Sequence, residues 1–235
     1  MAGVLAQKKA SAEFNEVTTF NVTFDNAVVA GNHVVVCTSS WKDGTDQSVS
    51  TIADNKGNGN YSIAVDAPRI DSQTIGSLFY KNNITTGGTT FTITVTWNTS
   101  GCSGVVGALE YSGIATGGAV GVSNNSGSST TPSSGAAVPG AASTCVAMMS
   151  YNTGGPSTIA ETAANFAEQL EIDENNDKQD INIADGVGLS GSQTCTWSLS
   201  NTGTWTACIA AFEETAAAGG SIVPILQHQY RARGA

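Results

Sequence analysis

Residues 89–97 read TTFTITVTW, so that Phe91, Ile93, Val95 and Trp97 point one way and Thr90, Thr92, Thr94 and Thr96 the other. An alternation of period two cannot be a helix face, which repeats every 3.6 residues; it defines a β-strand with one buried side. The same pattern recurs at 17–24, with Phe20, Val22 and Phe24 on one side, and at 60–66, with Tyr61, Ile63 and Val65. Strands with one wet face belong to antiparallel sheets. Further strands are predicted at 28–30, 33–39, 47–53, 74–80, 104–111, 143–151, 193–199 and 204–213. Turn-forming segments separate them: DNKGNG at 54–59, and Gly87 and Gly88 before the Phe91 strand, supply the glycine and asparagine that tolerate positive φ in tight hairpins.

Only 12% of the 235 residues are charged, which excludes a helical bundle or coiled coil. The expected fold is all-β: an antiparallel β-sandwich, jelly-roll-like, with long loops and extended termini. It divides into an N-terminal arm at 1–16, one sandwich domain at 17–214 and a C-terminal arm at 215–235. No long internal repeat stands out. Residues 121–140, GVSNNSGSSTTPSSGAAVPG, bury little apolar surface and read as an extended loop that a partner orders. Residues 159–172 read as strand or loop rather than a short helix.

The five cysteines, Cys37, Cys102, Cys145, Cys195 and Cys208, form no CxxC pair and, being odd in number, cannot all pair within one chain. They read as reduced core residues, with a Cys195–Cys208 bridge as the alternative. No secretory signal opens the chain, so the Asn-x-Ser/Thr sites at Asn21, Asn60, Asn83, Asn98 and Asn124 read as chance matches.

Nothing in the sequence presents a catalytic motif. GxSxG, HExxH and P-loop patterns are missing, and the two histidines, His33 and His228, are far apart along the chain. His33 is expected at a strand edge or partly buried. The acidic run Glu168, Glu171, Asp173, Glu174, Asp177, Asp180 and Asp185 suggests calcium, but Lys178 stands where a helix-loop-helix calcium loop needs glycine. A solvated acidic loop is the expectation, as is an ordinary turn around Asp43 and Asp46. No metal, cofactor or enzymatic activity is expected. Of the four tryptophans, Trp97 reads as core, Trp197 and Trp205 as a pair packed across a hairpin, and Trp41 as the exposed candidate for stacking on a sugar ring.

Charge is distributed unevenly. The chain carries nine basic and nineteen acidic residues, and Lys8, Lys9, Arg231 and Arg233 lie at the termini. An acidic body repels phosphate, which argues against nucleic acid, and no apolar run approaches the roughly 20 residues of a membrane span. The basic tails either anchor to an acidic neighbour or keep the ends soluble. Ile222, Val223, Ile225 and Leu226, after Gly219 and Gly220 and followed by Tyr230, Arg231 and Arg233, make a candidate docking arm, with Lys8 and Lys9 its counterpart at the other end.

The strings AGNHVVVCTSSW, ADNKGNGNYSIAV, SLFYKNNITTGGTTFTITVTW, EYSGI and TWTACIAAFE, spanning Ala30 to Glu213, resemble β-sandwich proteins of phages and bacteria that act as capsid decoration (cement) proteins or other virion appendages. The shared residues are turn and core residues and include no catalytic group. The resemblance implies a virion protein, assembled in the host cytoplasm, that forms a homo-oligomer, expected as a trimer, on the major capsid protein or another virion subunit. The competing expectation is a carbohydrate-binding or tail-fibre receptor-binding module.

Overall fold

The computed structural model describes residues 2–42, 47–67, 74–152, 158–172 and 180–216. Along them run β1 (Val4–Ala10), β2 (Phe14–Val17), β3 (Thr19–Thr23), β4 (His33–Trp41), β5 (Val49–Asp54), β6 (Ser62–Asp66), β7 (Thr74–Lys81), β8 (Thr92–Trp97) and β9 (Cys102–Ser112). There follow β10 (Ile114–Ser129), β11 (Ser143–Asn152), β12 (Ile159–Glu161), β13 (Ala167–Ile172), β14 (Asp180–Leu189), β15 (Trp197–Leu199) and β16 (Gly203–Glu214). The all-β antiparallel expectation holds, and residues 159–172 are strand.

The strands form four sheets. The largest runs β1-β9-β4-β7-β6, with β2 continuing β1 along β9; the second runs β10-β16-β11-β14-β13; the small ones are β3-β8-β5 and β12-β15. The two large sheets pack face to face through Val35, Leu78, Leu109, Tyr111, Met148, Ile183 and Phe212. The outer side of the first is covered by β3-β8-β5, whose Val22, Ile93 and Val95 meet Val34, Val36 and Ala108. The outer side of the second is covered by β12-β15 and residues around Ala137, through Met149, Trp197, Trp205 and Ile209. Four layers result, not two. Central strands buried on both faces need continuous apolar runs, which is why Val34–Cys37, Cys145–Met149 and Ala207–Phe212 show no alternation.

The second half of the chain repeats the first, which corrects the expectation of no internal repeat. β1-β9-β4-β7-β6 corresponds strand for strand to β10-β16-β11-β14-β13, and β8 beside β5 to β15 beside β12. Irregularities correspond as well. The bulge between Leu5 and Gln7, opposite Tyr111 and Glu110, is matched by that between Ala119 and Gly121, opposite Phe212 and Ala211. The bulge between Ile63 and Val65 is matched by that between Glu168 and Leu170. Val36 pairs with Ala108 as Ala147 pairs with Ile209. Shared bulges in shared places mark one supersecondary unit used twice. The repetition is hidden in the sequence because corresponding core positions must match in burial, not identity: Val36 answers to Ala147 and Cys37 to Met148, swaps a core absorbs if neighbours compensate in volume.

Three segments depart from expectation. The supposed arm at 1–16 is built into the largest sheet as β1 and β2. The supposed loop at 121–140 is strand through Ser129, after which Pro132, Ser134 and Ala137 hydrogen-bond to Trp197, Cys195 and Gln193. Of the run read as a solvated acidic loop, Glu168 and Glu171 lie on β13 and Asp180 and Asp185 on β14, an inner strand of the second sheet, where Asn182 and Asp185 find partners inside.

Candidate functional site

Lys8 and Lys9, expected on a free tail, are tied to the body. Alternation along β1 sends them to opposite sides of the strand. Lys8 Nζ donates to Gln169 Oε1 at 3.2 Å, and Lys9 Nζ pairs with Asp25 at 2.8 Å. Gln169 in turn donates to Asp185 Oδ1, and the Tyr111 hydroxyl donates to Asp185 Oδ2, both at 2.8 Å. A polar chain thus runs Lys8, Gln169, Asp185, Tyr111 and stitches the halves together. Burial, with the Asp185 carboxylate adding to it, pushes the Tyr111 phenol well above its ordinary range, so it stays a hydrogen-bond donor.

Glu110 is a second buried carboxylate that several donors satisfy. It accepts from Gln7 Nε2 at 2.5 Å, Asn32 Nδ2 at 2.6 Å and the Val29 amide at 2.8 Å. Its counterpart is Ala211, so this network belongs to the first half alone; it holds the 29–32 turn against β1 and β9.

His33 is not at an edge. It is buried between layers, stacked on Tyr80 with ring centroids 5.6 Å apart and tilted against Phe212 at 4.7 Å. Burial lowers its pKa to about 4, which keeps the ring neutral. All five cysteines are free and buried. A Cys195–Cys208 bridge is ruled out by layer: Cys208 faces the contact between the large sheets, Cys195 the small outer layer. Trp97 is core, as expected. Trp197 and Trp205 share one core, but β15 pairs with β12 rather than β16, so they do not face each other across a hairpin. Trp41, the sugar-stacking candidate, ends β4 half-buried, between Thr74 of β7 and Ser103 of β9.

The docking-arm residues Ile222, Val223, Ile225, Leu226, Tyr230, Arg231 and Arg233 lie outside the described residues, as do Asp173, Glu174, Asp177 and Lys178 of the acidic run and the turn residues Asp43 and Asp46. Among the described residues, no three His, Cys, Asp or Glu side chains gather where they could hold a metal ion.

Two surface features among the described residues bear on binding. A groove of about 380 Å³ opens between residues 9–12 and β3, lined by Lys9, Ser11, Phe20, Asn21, Thr23 and Asp25. In the second half the corresponding approach is closed: a Cβ on Gly135 would lie 2.5 Å from Ser123 Oγ of β10. The second feature is the outer edge of β10, which sequence reasoning placed in a loop. Its signal was a long Gly, Ser and Asn tract without a formal charge.

Comparison of the chain with protein-family models, curated proteins and solved structures finds no match in any of the three.

Proposed function

We propose that the protein is a structural component of a virion, of the capsid-decoration type, which binds the outer capsid surface as a homo-oligomer and stabilises it. The observation that carries this reading is the duplication: two sandwiches joined through their larger sheets make a block with interior contacts in every layer and long strand edges along its flanks. A lattice component needs such a body, since it gains avidity from many copies that each make a modest contact. The order β1-β9-β4-β7 set against β3-β8-β5 supports a jelly-roll-like reading of each half. The apolar, then basic, segment at 222–233 lies C-terminal to β16 in the sequence, and its composition is suited to clamp an acidic neighbour.

The test is co-sedimentation of purified protein with capsids made without it. Saturable binding, and a capsid melting temperature raised by the bound protein, are expected; deletion of residues 217–235 is expected to weaken binding at least tenfold. A chain that stays in the supernatant overturns the reading.

The groove beside β3 favours a second reading, a carbohydrate-binding module, because Asn21, Thr23 and Asp25 can meet sugar hydroxyls beside the Phe20 ring. Saturable binding on a glycan array, lost in Phe20→Ala, supports it; an inert array removes it.

A further inference from the structure

The chain leaves β16 through a further groove, of about 410 Å³, lined chiefly by Ala2, Ala141, Ala142, Glu213, Glu214 and Ala216. Its four alanines are exposed, and Ala216 is the last residue the structure describes, so residues 217–226 start at the groove's rim. Beside it stands Val187, 46% exposed, next to the Gly188 N–H that donates to Glu214 Oε1 at 2.7 Å.

The other half of the molecule shows what covers the corresponding place. β7 and β14 correspond to their very ends, where Asn83 and Gly188 both take positive φ, 50° and 67°, so that Asn82 answers to Val187. Across Asn82 runs the chain that has just left β9. Asn82 Nδ2 donates to the carbonyls of Thr116 and Gly117. Gly118 passes so close to Tyr80 that a Cβ would lie 2.7 Å from its hydroxyl, and Ile114 sinks into the core between the large sheets. This crossing segment reads SGIATGGAV at 112–120, and the chain after β16 reads ETAAAGGSI at 214–222. Counted from the corresponding residues Tyr111 and Phe212, the paired glycines come one residue later in the second copy.

We infer that residues 217–226 close the groove of their own chain: Gly219 and Gly220 carry the backbone past Val187, and Ile222 and Val223 cover the alanines. Repetition selects this occupant, because a segment of the same small-residue and Gly-Gly pattern, leaving the corresponding strand, covers the corresponding place in the first half. Reach permits it. The six residues from Ala216 to Ile222 span up to about 20 Å, ample for a groove that Ala216 itself lines. Tethering also gives the segment an effective concentration in the millimolar range, well above that of a second copy in dilute solution. Charge agrees, since 217–235 carries Arg231 and Arg233 and no carboxylate side chain, while Glu213 and Glu214 stand at the groove. Farther on the halves differ. Residues 119–129 continue along β16, whereas the matching edge of β9 is already taken by β1, and Pro224 cannot donate to a ladder there. The inference rests on the groove and the repeat rather than on the virion reading; if both hold, the segment that would clamp a neighbour is stored on its own body until that neighbour takes it.

Hydrogen exchange of the full chain, without capsids and read by mass spectrometry over 217–226, tests it. The amides of Ser221, Ile222, Val223, Ile225 and Leu226 are expected to exchange at least tenfold more slowly than in a synthetic peptide of the same sequence, equally at low and high protein concentration. Ala142→Asp combined with Val187→Asp places two charges at the groove and should return these amides to the peptide rate while β11 and β16 stay protected. Ile63→Asp, at an exposed side chain of β6, should leave the protection in place. Peptide-like exchange in the wild type, a readout that needs no variant, overturns the docking. Protection that grows with concentration alongside a doubled mass assigns the groove to a second copy and overturns it too, as does protection that survives in the folded double variant.

Discussion

Ser39 and Ser150 hydrogen-bond to each other, Oγ to Oγ at 2.5 Å, in the buried contact between the two large sheets. They occupy corresponding positions of β4 and β11, so the molecule's two halves meet here through the same residue. Other contacts repeat on either side: Tyr111 reaches Asp185, and their counterparts Phe212 and Tyr80 pack with ring centroids 5.3 Å apart. The halves are thus related by an approximate two-fold axis passing near the serine pair.

That pair is expected to behave as a unit. Replacing either serine by alanine removes one partner of a buried hydrogen bond and should cost about 1–2 kcal/mol. The double replacement should cost less than the two single costs together, because neither hydroxyl is then left facing an absent partner. Chemical denaturation of the three variants checks this; strict additivity would show that the two hydroxyls are not coupled.

Close approach of the halves also depends on Gly107. A Cβ there would lie 2.3 Å from Ile183 Cδ1 and 3.3 Å from Leu170 Cδ1, both from the other half. Gly107→Val should therefore destabilise the fold by about 1–3 kcal/mol through overpacking. Ile183→Ala in that background should recover part of the loss in a thermal melt, whereas a second loss equal to that of Ile183→Ala alone would place the strain elsewhere.

His33 predicts a pH dependence. Its folded pKa of about 4 lies below the unfolded value of 6.5, so between these limits the unfolded chain binds more protons. Its contribution is fully present above the unfolded pKa and is lost as pH falls through the folded one, to a total of about 3 kcal/mol. Because carboxylates titrate nearby, the measurement is the difference in unfolding free energy between wild type and His33→Leu at pH values above and below this window. A difference that does not change with pH would mean that His33 protonates freely in the native state.

The thiols should be silent in the folded protein. All five are buried, and burial raises Cys37, Cys195 and Cys208 and takes Cys145 up to about 12, the Glu214 carboxylate adding to the effect. Titration with a chromogenic disulfide at mildly alkaline pH should find no fast-reacting thiol in native protein and all five in denaturant. A native thiol that reacts as quickly as a free one would argue that its layer opens readily.

Local periodicity carried much of the fold. The alternation at Phe91–Trp97 marked β8 because that strand lies in an outer sheet and is half wet, the condition under which period two is visible. Valines 34–36 were recognisable as strand, but nothing local reported that both their faces are covered, since an apolar run looks the same under one layer or two. At the candidate sites, Lys8 and Lys9 were found by their charge and misplaced, because a lysine near a terminus reads as a tail until its strand partner, β9, is known. The edge of β10 was missed because its Gly, Ser and Asn residues have weak strand propensity; a sixteen-residue strand forms there through pairing with β16, a tertiary term that outweighs local preference.

By itself, then, the sequence determined that this chain folds as antiparallel β-structure and where most of its strands and turns lie, because side-chain alternation and turn chemistry act over a few residues. Only the tertiary structure decided that there are four layers, and that one sandwich is used twice about an axis near Ser39 and Ser150. Those outcomes depend on which buried faces meet across distances of a hundred residues or so along the chain, and there the interior selects for volume and polar satisfaction rather than for residue identity.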